Sequence, residues 1–223
     1  MSINYKIVVA TPLSKEKFEA ESKIFISLER LKINCEVEVI YNNKTELTKV
    51  YNSFINQENK DKKLVFAHDD LLIEDLFFFE KLEDAFTMYD IVGLAGSKSC
   101  NLSSPAPAWH LMCERNQLVG EVSHSSGNTF WTTVFGPTPS RALILDGLFL
   151  AVKVDKLLET NTKFDEDFGF HHYDITFCLI ANKNKLKMGV YPIKVTHYGL
   201  GNSMLSEEWK ESSEKFLKKY KND

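Results

Sequence analysis

Apolar and polar positions fall into alternating blocks along the first half of the chain. The apolar run Lys6 to Ala10 closes at Thr11-Pro12 and predicts a buried first strand. Ser14 reads as the N-cap of a helix over about Lys15 to Leu31, with Phe18, Phe25, Leu28 and Leu31 near helical spacing. Glu36 to Tyr41 alternates polar and apolar residues, a second strand broken by Asn42-Asn43. A helix over Glu46 to Gln57 puts Leu47, Val50, Tyr51 and Phe54 on one face. The polar run Glu58 to Lys62 turns into a third strand, Lys63 to Ala67, which stops abruptly at His68-Asp69-Asp70. A helix near Asp75 to Met88 carries Leu76, Phe79, Leu82 and Phe86, and Ile91 to Ala95 is a fourth strand. This β-α-β-α-β-α-β order over roughly the first 96 residues predicts an α/β fold, a parallel sheet with helices on both faces.

The pattern loosens between Gly96 and Pro139, which hold four of the six prolines together with Trp109, Trp131 and Ser123-His124-Ser125. Long loops with short strands are expected there, placed to wall a pocket. Regularity returns at Arg141 to Val152, a strand pair interrupted by Asp146-Gly147. A short helix near Val154 to Glu159, a helix over Asp174 to Asn184, a strand at Lys187 to Tyr191 and a terminal helix near Ser206 to Tyr220 complete the reading.

Composition narrows the function. A chain of 223 residues, 43% hydrophobic with 16 phenylalanines, suits one packed α/β domain spanning residues 1–223. A formal net charge of −4 argues against a surface that coats nucleic acid. Lys215, Lys218, Lys219 and Lys221 read as the solvated face of the last helix. Cys35, Cys100, Cys113 and Cys178 are widely spaced, without a C-x-x-C pair, so reduced thiols are expected rather than a zinc knuckle or redox motif. The segment Met1 to Lys6 carries no apolar leader, and the longest apolar stretch is too short to span a bilayer. The expected location is the cytoplasm, with peripheral contact at a membrane, or the host cytoplasm if the chain is viral.

The chemistry gathers where predicted elements end. His68, Asp69 and Asp70 close a probable parallel strand, the edge at which open α/β sheets bind ligands. Adjacent carboxylates repel unless a cation or donor offsets them, and a hard divalent ion meets that need. Asp146, Asp165, Glu166, His171, His172, Asp174 and His197 occupy similar positions. Each also has a bland reading: Asp174 as a helix N-cap, Asp146-Gly147 as a turn, a histidine as a hydrogen-bonding residue. No glycine fingerprint for dinucleotides follows the first strand, and no P-loop is present.

In order and spacing these motifs resemble a GT-A-fold glycosyltransferase of the family 2-like group found in bacteria and large DNA viruses. The resemblance covers nearly the whole chain and implies a central, mostly parallel sheet flanked by helices. Residues 1–96 would form the nucleotide-binding half and residues 97–223 the acceptor-side half. His68-Asp69-Asp70 stands in place of the DXD motif, departing from it at His68. By resemblance, Asp70 and His197 would hold Mn²⁺ or Mg²⁺. Thr11, Pro12, Asn42, Asn52, His68, Asp69 and Gly147 would lie on the donor side. Asp174, with Asp146 on the strand before it, would be catalytic. The implied reaction moves a sugar from a nucleotide sugar, most often UDP-linked, to a hydroxyl of a glycan or glycoconjugate, as in surface-polysaccharide synthesis, and inversion is the expected course. Trp109, Trp131 and Trp209 are candidates for sugar or base stacking, with core or loop packing as the alternative. A metal-dependent phosphohydrolase and a non-catalytic nucleotide-sugar-binding module of a larger protein are the competing readings.

Overall fold

In the computed structural model, which describes residues 4–199 and 206–221, the opening apolar run is a strand, β1 (Tyr5–Ala10), with Ile7, Val8 and Val9 fully buried. It lies between β2 (Glu36–Ile40) and β3 (Lys63–Ala67) and runs parallel to both. β1 and β3 are covered on both faces, so their sequences are continuously apolar, whereas β2 is an edge strand and alternates, with Glu36 and Glu38 exposed. The helix expected over Lys15 to Leu31 is two helices, α1 (Lys15–Glu21) and α2 (Lys23–Leu31). The break falls at Ser22, whose extended backbone lets its hydroxyl, and the Ile24 N–H beyond it, donate to the Asp69 carbonyl. The helix pair is thereby tied to the loop after β3. α3 (Leu47–Phe54) follows as expected.

One expected strand is divided between two sheets, and a strand appears where none is expected. After β3 the chain enters β4 (Leu71–Ile73), and α4 begins only at Phe78 (Phe78–Met88). Ile91 to Ala95 is not one strand but β5 (Ile91–Gly93) and β6 (Ala95–Ser97). The supposed loops beyond Gly96 contain a long hairpin, β7 (Leu118–Ser126) and β8 (Thr129–Gly136), turning at Gly127, which takes φ +56°. Next come β9 (Ser140–Arg141), β10 (Ile144–Leu145), β11 (Phe149–Lys153), α5 (Val154–Glu159), α6 (Tyr173–Lys183), β12 (Met188–Val190), β13 (Val195–His197) and α7 (Glu207–Tyr220).

The larger sheet has the order β2-β1-β3-β11-β5-β12-β9, and the smaller runs β10-β6-β7-β13-β4 with β8 on the outside of β7. The larger sheet is mixed: β11 lies antiparallel to both β3 and β5, and β9 antiparallel to β12. No α-helix separates β6 from β11 to carry a parallel crossover, so the chain reverses instead. Side chains from both sheets and the helices join one hydrophobic cluster. Within it Tyr51 stacks on Phe66 with ring centroids 4.3 Å apart and Phe164 on Phe177 at 4.1 Å, which anchors the segment leading into α6. Among the described residues no helix is long and apolar enough to cross a membrane.

Candidate active site

The three residues that close β3 reach in three directions. Asp69 accepts a hydrogen bond from the hydroxyl of Thr11, at the end of β1. Asp70 accepts one from His197 Nε2 at 3.1 Å, at the end of β13, while its carbonyl takes the Tyr198 N–H at 2.9 Å. His68 meets Tyr173 on α6, Nε2 to hydroxyl 2.9 Å. The Tyr173 hydroxyl donates its one proton to the Gly147 carbonyl at 2.6 Å, so it accepts from His68. That assigns the proton to Nε2 and leaves Nδ1 as a lone pair. Burial holds the His68 imidazole below its ordinary pKa, despite nearby carboxylates, which favours this neutral form.

Asp146 and Gly147 form the turn between β10 and β11. The Asp146 N–H donates to the Ala95 carbonyl at 2.9 Å, and Asp146 Oδ1 accepts the Leu148 N–H at 3.2 Å. The Gly147 N–H donates to Asp174 Oδ2 at 3.0 Å, in the first turn of α6, and Ile175 N–H donates to Oδ1 at 2.9 Å. A Cβ at residue 147 would overlap the Tyr173 phenol, so only glycine allows this approach. Burial first, and the Asp146 charge second, lift the Asp174 carboxyl to about 7. The same Asp146 charge acts on the imidazoles of His68, His110, His124 and His197. Asp146 thus acts on Asp174 and on all four imidazoles, although Asp70 acts more strongly on His68 and His197.

Asp70 and His197 behave as an ion pair. Burial disfavours charge on each, yet their mutual hydrogen bond and attraction prevail, so the carboxyl lies below and the imidazole above its ordinary range. Asp70 Oδ1 is buried and has no hydrogen-bond partner among the described residues. Gly199 packs against the pair so closely that a Cβ would overlap His197 Nε2 and Asp70 Oδ2. Among the described residues no set of three or more His, Cys, Asp or Glu side chains makes a complete metal-binding group. The pair suits a hard ion that displaces the proton it shares and draws the rest of its shell from phosphate oxygens and water, since the orphaned Oδ1 is an unspent oxygen donor.

A sequence profile described as a glycosyltransferase-like family matches residues 9–220. The chain belongs to this glycosyltransferase-like family. Among solved structures it is similar to A197 from STIV, with a TM-score of 0.54 and 13% identity over 88% of this chain and 86% of that one. It is also similar to S. aureus TarS 1–349 in complex with UDP, with a TM-score of 0.48 and 12% identity over 96% of this chain and 64% of that one. No curated protein matches it. The α/β architecture is that of the GT-A glycosyltransferases, with mixed sheets.

In this glycosyltransferase-like chain the remaining candidate residues occupy different settings. Pro12 and Asn42 are exposed, and Asn42 takes φ +50°. The Asn42 N–H donates to the Leu13 carbonyl and the Asn43 N–H to that of Thr11, each at 2.8 Å, so the loops after β1 and β2 form one rim. Asn52 is buried and its amide is spent within the protein, not on the donor side. It donates to the Phe164 carbonyl at 2.9 Å and Glu166 Oε1 at 3.0 Å, and accepts the Phe164 N–H at 2.8 Å, which pins the segment leading to α6. His172 lies under α7, bonded to Ser212 at 2.8 Å and stacked on Phe216. Trp209 packs beside that imidazole and Trp109 is buried against Phe135. His124 stands out in the sequence only within Ser123-His124-Ser125 and His110 carries no motif, yet the Asp146 charge acts on both imidazoles.

Proposed function

We propose that the chain transfers a sugar from a nucleotide sugar, a UDP-sugar in the first instance, to a hydroxyl of a glycan or glycoconjugate, with Mn²⁺ or Mg²⁺ held by Asp70 and His197. The observation that carries this reading is the Asp70–His197 pair with its orphaned Oδ1, joined through His68, Tyr173 and Gly147 to Asp174, a carboxylate lifted to about 7. A bound divalent ion would offset charge on the departing diphosphate. The chain's own groups do the rest. Thr11 and Asp69, held together at the rim of β1, bind the nucleoside end. His68, locked neutral by Tyr173, lines the donor without adding charge. Asp174 takes the proton of the acceptor hydroxyl as its oxygen attacks the anomeric carbon and the bond to the diphosphate breaks, a single displacement with inversion. Asp146 beside it raises its basicity, the property a general base needs.

A thermal-shift panel of UDP, GDP, CDP and dTDP, each with Mn²⁺ or with EDTA, tests the reading. UDP at about a hundred times its dissociation constant should add about 2.7 kcal/mol, a rise of roughly 5 to 10 °C, only when Mn²⁺ is present. Asp70→Ala should abolish the rise. No shift with any diphosphate overturns the proposal.

A further inference from the structure

We infer that the exposed face of Trp131 is the platform on which the acceptor glycan lies, its pyranose ring stacked on the indole. The inference rests on the transferase reading and names a residue and a ligand class for its acceptor side. The register of the smaller sheet aligns one residue per strand: Leu71 on β4, His197 on β13, His124 on β7 and Trp131 on β8. Leu71 directly follows Asp70. Two strand spacings separate Trp131 from His197, roughly 10 Å. The side chains make the same row continuous. The His124 ring sits 5.7 Å from that of His197 at 65°, and Trp131 stacks on His124 at 5.3 Å and 19°. One indole face is thus covered by an imidazole of the site, and the residue is still 43% exposed.

The direction of the row separates acceptor from donor. Asp69 reaches back to Thr11 on β1, whereas Asp70 reaches to His197 on β13. A nucleotide on the β1 side leaves the β13-β7-β8 side to the other substrate. The composition of the hairpin selects what that substrate is. Residues 122–140 contain no Asp, Glu, Lys or Arg in a chain that is 26% charged. Hydroxyls replace them: by the register Ser126, Thr129 and Thr133 share the face of Trp131, while Ser123 and Thr132, bonded to each other at 2.9 Å, stand on the opposite face. A flat apolar ring among uncharged hydroxyls matches a neutral sugar, which has C–H faces and a polar edge, and offers nothing to an anionic polymer or an acidic peptide.

The probe is an array of neutral oligosaccharides, read with wild type, Trp131→Ala, Trp131→Phe and Phe130→Ala, alongside the UDP–Mn²⁺ thermal shift of each. Wild type should retain at least one neutral glycan. Trp131→Ala should weaken that binding about tenfold with its UDP–Mn²⁺ shift intact, while Trp131→Phe and Phe130→Ala keep most of it. Glycan binding unaltered in Trp131→Ala, no neutral glycan retained by wild type, or loss of the UDP shift in Trp131→Ala would each overturn the platform. Trp131-dependent glycan binding in a protein that answers to no nucleoside diphosphate would support the platform and overturn the transferase reading.

Discussion

Asp174→Asn should make the protein more stable at alkaline pH while removing its transfer activity. The Asp174 carboxyl is lifted from an ordinary 3.8 to about 7 by burial and by the charge of Asp146. Between those values the unfolded chain ionises this group and the folded chain does not. Stability that is fully present below pH 3.8 is therefore lost as the pH rises to about 7, at about 1.4 kcal/mol per unit, about 4 kcal/mol in all. Roughly 3 kcal/mol of that loss falls between pH 5 and pH 8. Asparagine has no proton to lose in this range. It does have one oxygen fewer to accept the Gly147 and Ile175 N–H groups, which costs about 1 kcal/mol at either pH. Urea denaturation should find the two proteins near parity at pH 5 and the variant about 3 kcal/mol more stable at pH 8. Other titrating groups are common to both proteins and cancel. Wild-type transfer should rise as Asp174 ionises through pH 7. An advantage for the variant that does not grow with pH would show that the carboxylate ionises freely in the folded protein, and would refute the argument from burial and Asp146.

Two further outcomes follow from close contacts. Gly199→Ala places a methyl group where His197 Nε2 and Asp70 Oδ2 meet, so it should part the pair and weaken Mn²⁺-dependent UDP binding about tenfold or more, measured by calorimetric titration against an unchanged urea midpoint. His172, buried under α7, is held by desolvation at about 4 against an ordinary 6.5, so its contribution is present above pH 6.5 and is lost as the pH falls toward 4, about 3 kcal/mol over the interval. His172→Asn, which tolerates the φ of +63° there, should lose that acid dependence, and equal slopes of stability against pH in the two proteins would dismiss His172 as its source.

The sequence made β1, α3, β3, α5 and α6 legible for one reason: each is fixed by its own apolar pattern. β4 and β6 are three residues long, and their partners β13 and β7 lie far along the chain, so no local period marks them. The β7–β8 hairpin was hidden by its composition, since serine and threonine in place of apolar residues remove the alternation that signals a strand. The site shows the same division. A strand ending in His68-Asp69-Asp70 announces chemistry, and family resemblance joins Asp70 to His197. Nothing in a sequence says that the Asn52 amide is spent on Phe164, or that His124 sits between Trp131 and His197. Those are consequences of register between strands, which a single chain does not display.

The site lies where it does because the chain changes sheets there. Three of the chain's passages between the sheets meet at the site: larger to smaller at His68-Asp69-Asp70 and at Leu94, and smaller to larger at Asp146-Gly147-Leu148. The three crossings bond to one another: His68 N–H donates to the Leu148 carbonyl at 3.2 Å, and Asp146 N–H to that of Ala95 at 2.9 Å. A backbone that leaves one sheet has groups unpaired by either ladder, and here the crossings satisfy each other. Leu94 and Leu148 stay in the core, while the polar side chains of His68, Asp69, Asp70 and Asp146 are held on this frame. Adjacent Asp69 and Asp70 can then serve different partners, Thr11 in the larger sheet and His197 in the smaller, without meeting as like charges on one ligand. The charge of Asp146, at the third crossing, acts on His68 and His197, which the first gathers. The site is built by the same hydrogen bonds that route the chain, so its geometry exists before any substrate arrives, the condition under which fixed charges act most strongly on a reaction.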